Sequence, residues 1–144
     1  MLQSLPKVYF QSDAVTIQYD EEQRLGMAIW RGHFNSADLR EAILLCGYII
    51  ERFGLTRWLA DNRRMRAFSD EDKLWMLEHM VPKLMTSALC RMATLVSADE
   101  KQAAAIKYIE KHAGDLGKLL IRDFQDEEEA LEWLLQETDP GPNQ

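Results

Sequence analysis

The residues best suited to chemistry stand together near the middle of the chain. The apolar run Trp58-Leu59-Ala60 leads directly into Asp61-Asn62-Arg63-Arg64, and Arg66 follows. Arginines in such a cluster can meet a phosphate or an acidic partner, because a guanidinium makes paired, charge-assisted hydrogen bonds. A structural salt bridge from Asp61 to Arg63 or Arg64 would account for the same residues. Ser69-Asp70-Glu71-Asp72 comes close behind and would cancel much of the arginines' field. With no aromatic interleaving either, the cluster is a weak nucleic-acid site.

Other chemistry is sparse. His33, His79 and His112 are scattered, with no second His or Cys at ligand spacing, so no metal site is expected. Neither a Gly-x-Ser-x-Gly elbow nor a Gly-rich phosphate loop occurs. Cys46 and Cys90 sit in apolar runs far apart, which fits two buried free thiols better than a redox or zinc motif. Enzymatic chemistry would have only Asp61, Arg63 and His33 to work with. No catalytic residue and no cofactor is therefore expected. Of the seven methionines, Met76, Met80, Met85 and Met92 lie close together. Met-rich faces line adaptable apolar pockets, or fill a core or a subunit contact.

The flanking elements follow from periodicity. Val15 to Tyr19 alternates apolar and polar, and Leu25 to Arg31 is a second strand ending at Gly32; together they predict an antiparallel hairpin. Asn35 or Ser36 can cap a helix whose apolar stripe is Leu39, Ile43, Cys46, Ile50 and Phe53, stopped by Gly54. A strand over Arg57 to Ala60 is expected next, then an exposed turn from Asp61 to Arg64. Ser69 opens a helix with Leu74, Leu77, Val81, Leu84 and Ala88 on its buried face. Pro82 should bend or divide that helix. A strand over Arg91 to Val96 follows. Asp99 with Gln102 forms a capping box for a helix near 100–113, with Ile106, Ile109 and Ala113 inward. Leu119 to Phe124 is the last strand, and Asp126 with Glu129 caps a final helix through Leu134.

The predicted order is β-β-α-β-α-β-α-β-α. It implies an α/β fold with a mixed, mostly parallel sheet of about five strands, an N-terminal antiparallel hairpin and about four helices. In open sheets of this kind, ligands bind beyond the carboxyl ends of the strands. Those ends carry Arg31-Gly32-His33, Asp61 to Arg64, Ser97-Ala98-Asp99 and Arg122-Asp123. Ser97 and Asp99 read more simply as caps and turns.

At 144 residues the chain is long enough for one well-cored domain. That domain is expected over 15–136, with an N-terminal extension over 1–14 and a disordered tail over 137–144. The net charge of -7 repels phosphate backbones and anionic membranes, and the longest apolar runs are too short to span a bilayer, so neither nucleic acid nor stable membrane insertion is expected. The first ten residues lack the pattern of a secretory leader, and a cytoplasmic location follows.

Three stretches resemble a STAS domain of the SpoIIAA-like group. They are Trp30-Arg31-Gly32, Trp58 to Arg63, and Phe124 to Leu134 with its acidic start. The likeness spans roughly Val15 to Gln136. It implies a non-enzymatic regulatory or protein-interaction module, with relatives switched by phosphorylation of a serine after the central strand. Ser69 is the serine nearest that position. The switch serine of the family stands in an Asp-Ser-Ser-Gly-like context, whereas Ser69 precedes three acids that would repel a phosphate.

The first expectation is therefore a STAS-like module contacting an unidentified protein partner, or a second copy of itself, through Asp61, Asn62, Arg63, Arg64 and Arg66, with Ser69 as a possible phosphorylation site. The resemblance also implies a relation to CRAL-TRIO domains, which hold lipids. The alternative is thus a small apolar or lipid-like ligand in a pocket under the Trp75 helix, lined by Trp30, Trp75, Met76 or Met80.

Overall fold

The structure, a computed structural model, describes residues 6–114 and 117–136. It is α/β, with one six-stranded sheet in the order β1-β2-β3-β4-β5-β6. The strands are β1 Lys7–Gln11, β2 Val15–Asp20, β3 Leu25–Gly32, β4 Arg57–Met65, β5 Arg91–Leu95 and β6 Leu120–Phe124. The first three pair antiparallel and the last four parallel. The hairpin and the parallel succession agree with the pattern of the sequence. The sixth strand, β1, lies within the segment expected to be an extension. It pairs along β2 through a bulge near Val8 and Phe10, with Val8 and Tyr9 exposed at the sheet edge. A short edge strand with one half-buried residue leaves no alternating apolar signal to read. The expected tail over 137–144 lies outside the described residues.

The helices are α1 Ser36–Phe53, α2 Asp70–Trp75, α3 Val81–Thr86, α4 Glu100–His112 and α5 Glu127–Leu135; a π-helical turn, Met76–Met80, joins α2 to α3. Local chemistry sets their ends. Asn35 accepts from the Asp38 N–H, Ser69 from Asp72, Asp99 from Lys101 and Gln102, and Asp126 from Glu129. Gly54 ends α1 in the left-handed conformation (φ 59°), returning its N–H to Ile50 and Glu51.

The parallel strands follow one another in sequence order. Right-handed crossovers between strands that step in one direction put their helices on one face. Accordingly α1, the α2–α3 segment and α4 share a core with Ile17, Ala28, Trp30, Trp58 and Met65. α5 comes after the last strand and covers the other face, against Leu25, Met27, Leu59, Ala93 and Leu95. Among β3 to β6 the order never reverses, so the sheet has no topological switch point to open a crevice at its rim.

Candidate functional site

The main cavity lies between the sheet and the three-helix layer. Its volume is about 150 Å³. The floor follows from strand alternation. Trp58, Ala60 and Asn62 face it from β4, and Met92 and Thr94 from β5, where Trp58 pairs with Met92 and Ala60 with Thr94. Trp30 closes one side. The space exists because small residues meet there. Ala60 is on the floor, and on α1 Gly47 lines the cavity at a point where an added Cβ would touch nothing within 4 Å. Trp58 is held flat by the opposite device: a Cβ on Gly26 would stand 2.2 Å from its ring.

The roof is the broken helix. Pro82 has no N–H, and in a regular α-helix its ring would crowd the carbonyl of Glu78. The turn before it widens instead, with the Val81 N–H reaching back five residues to the Met76 carbonyl. The extra residue shifts the phase of the inward face. Leu74, expected to be inward, is 54% exposed, and Ala88, also expected on the buried helix face, lies past the end of α3 and is exposed. Trp75, Met76, Met80, Val81 and Leu84 line the cavity. Met65 and Met92 do so too, giving the wall four flexible, polarisable thioethers.

The N-terminal end of the roof is pinned. Asp72 is 2% exposed; it accepts from Ser36 Oγ at 2.8 Å and from Arg40 Nε at 2.9 Å. Arg40 also lies over the Trp75 ring, 5.4 Å from its centroid. Within the π turn, the His79 ring lies tilted against Trp75, and exposed His79 and Lys83 stand with Leu44 of α1 at the rim of the cavity.

The charged stretch takes a different form from the expected exposed turn. β4 continues through it to Met65, paired with β3 as far as Gly32, with a bulge opposite Ile29 to Arg31. Asp61 is 8% and Asn62 5% exposed, so neither presents a surface to a protein partner. They point to opposite faces. Asp61 turns toward α5 and receives Arg63 Nε at 2.9 Å and Nη2 at 2.8 Å; Arg63 also reaches Glu127 on α5 at 3.1 Å. Burial pushes the Asp61 carboxyl up, but the hydrogen bonds from Arg63 and the charges of Arg63 and Arg64 outweigh it and hold it below its ordinary 3.8. The structural salt bridge anticipated for Asp61 is thus present.

Arg63, Arg64 and Arg66 are exposed, and Arg66 is tied to Asp99 at 3.2 Å. Ser97 bonds the Met65 carbonyl, and Asp99 caps α4 while also receiving the Ala67 N–H, as turn and cap residues do. The capping box at Asp99 is only half formed, because the Gln102 side chain turns inward to Met65 Sδ. Ser69 is exposed and serves as the cap of α2. His33 is exposed just past β3. Cys46 is buried, its thiol pushed well up by desolvation, and Cys90 is half-buried; both are free.

Trp30, Trp75, Met76 and Met80 therefore meet around one space, while the arginines lie outside it. Asn62 belongs to that space and not to a surface turn. The sequence reading missed Ala60, Met65 and Thr94 as lining residues. The period-two signal Trp58-Ala60-Asn62 was present, but the run of charges after Ala60 read as the end of the strand. Comparison with models of protein families, with curated proteins and with solved structures finds no match.

Proposed function

We propose that this protein binds a small apolar ligand in the cavity beneath the broken helix. One observation carries the proposal: an apolar space of about 150 Å³ inside a chain of 144 residues. Protein cores are normally packed as closely as organic crystals. At about 24 cal/mol per Å³, a sealed and unfilled cavity of this size forgoes about 3–4 kcal/mol, an upper bound here because the space opens at its rim. That cost matters against a total stability of about 5–15 kcal/mol. A ligand recovers it. The methionines supply an adaptable wall, and a π turn set in the roof is a feature common at functional sites. The volume also bounds the guest. A cavity of about 150 Å³ takes benzene, so the buried group is one ring or a short alkyl segment and not a whole lipid chain.

The test is a thermal shift with benzene, alongside the quenching of Trp30, Trp58 and Trp75 fluorescence. Ligand at ten times its Kd stabilises by about 1.4 kcal/mol, which raises Tm by about 2–6 °C in a domain of this size. Ala60→Leu, which fills the floor, should keep the fold and abolish the shift. An equal shift in both proteins, or none in the wild type, refutes the proposal.

The STAS-like likeness supports a second reading, a protein-interaction module. The observation favouring it is that Arg64, Arg66 and Ser69 remain exposed near one rim of the sheet. Partners captured from cells by the wild-type chain should be lost or exchanged by Ser69→Asp. Identical capture by the two proteins removes the switch.

A further inference from the structure

We infer that the ligand carries an uncharged hydrogen-bonding head, such as a hydroxyl, which Asn62 and Thr94 receive; this rests on the cavity being a binding site. The floor changes character along the strands. From β4 it presents Trp58, then Ala60, then Asn62, and from β5 Met92, then Thr94. The floor is apolar toward the amino ends of the strands and polar toward their carboxyl ends.

Asn62 and Thr94 are each 5% exposed. Among the described residues, no protein group hydrogen-bonds either side chain. Their polar atoms are not sealed off and keep accessible surface, so they are open to water or to a polar group of a guest. Both residues, with Ile106, also line a second, smaller space of about 20 Å³ that adjoins the first. That volume admits one hydroxyl oxygen and little more. Gln102 closes this end. It is 0% exposed, its amide N–H group faces Met65 Sδ at 3.2 Å, and its Oε1 has no donor. Three polar side chains thus converge on a space the size of one polar group, next to an apolar cavity the size of one ring.

The ionic surroundings choose between heads. Lys107 borders the small space but is bound to Asp123 and lies 3.7 Å from Glu110. Glu110 itself lines the large cavity. At this polar end, one cation already committed to two carboxylates leaves nothing to neutralise an incoming anion, since His79 and Lys83 border the large cavity and not the small space. A carboxylate head would enter beside Glu110 and Asp123 and lose its hydration with no counter-charge. A hydroxyl can donate to the Asn62 carbonyl oxygen and accept from the Thr94 hydroxyl. Phenols and short-chain alcohols fit this chemistry, and fatty or aromatic acids in their ionised form do not.

Benzene, phenol and benzoate share a ring and differ in the head, so they separate this inference from the one it rests on. Their dissociation constants would be measured at pH 7 on the whole chain, with Thr94→Val and Thr94→Ser. Thr94→Val keeps the shape and removes the hydroxyl; it should weaken phenol by about 3- to 10-fold, as the loss of one hydrogen bond does, and leave benzene within about 2-fold. Thr94→Ser should retain phenol, and benzoate should bind more weakly than phenol to the wild type. If benzene binds but Thr94→Val treats both ligands alike, or benzoate matches phenol, the polar head is refuted and the apolar site stands. If neither benzene nor phenol binds, both fall.

Discussion

The two faces of the sheet each bury an apolar cluster and are packed differently. On one face α5 lays Ala130, Leu131, Trp133 and Leu134 against Leu25, Met27, Leu59, Ala93 and Leu95. Trp133 packs by Phe124 and is flanked by the guanidinium groups of Arg91 and Arg122. Regular helical spacing and a good cap let this short helix fill its groove. On the other face the roof is interrupted by the π turn at Met76–Met80, and the floor beneath carries Ala60 and Thr94. Apolar composition alone therefore does not make a filled core. Filling needs a regular backbone above and side chains of matching size below.

The largest contrast should come from truncating each face. Leu134 is 0% exposed, and Leu134→Ala should cost about 3–5 kcal/mol in urea unfolding. Met80→Ala merely enlarges a space already present and should cost about 2 kcal/mol, at the low end for such truncations. Equal costs would mean that the two faces are packed alike.

Charge sharpens the comparison on the α5 face. Asp61 is held below 3.8 by Arg63 and Arg64, so its unfolded form takes up a proton before its folded form does. Its contribution is present above pH 3.8 and is lost as the pH falls through the lower folded value. Asp61→Asn should cost about 1 kcal/mol near neutrality, a modest amount because Arg63 is 43% exposed. The gap from the wild type should close in acid below pH 3.8. A gap independent of pH would show that the ion pair is not its source.

The smallest effect belongs to the cavity side. Gly47 is an interior residue of α1 with open space where its Cβ would be. Gly47→Ala should therefore raise stability by about 0.5–1 kcal/mol, from helix propensity without steric conflict. Destabilisation on thermal unfolding would mean that the space is filled.

Much of the fold was legible because local rules and tertiary packing agreed. The hairpin, the α1 stripe, the caps at Ser69, Asp99 and Asp126, and the stop at Gly54 all rest on near neighbours in sequence. The candidate site was legible in part. Trp30, Trp75, Met76 and Met80 stood out by type and spacing. The end of β4 did not, because the charges at Asp61, Arg63 and Arg64 resemble a solvated turn. Backbone pairing with β3 carries the strand on to Met65, and Arg63 is paired with Asp61 and Glu127.

By itself the sequence determined the order of elements from β2 onward, the mixed sheet and the place where Pro82 would disturb a helix. Those depend on periodicity and backbone chemistry, which act within a few residues. Tertiary structure alone decided that the disturbance would take the form of a π turn, that it would lie above Ala60, and that Asn62, Thr94 and Gln102 would meet at one end of the space below. These three residues stand on β4, β5 and α4, and only the parallel register of the strands brings them together. The opening stretch of charges thus divides by strand alternation: Asp61 and Arg63 anchor α5, and Asn62, between them, faces the cavity.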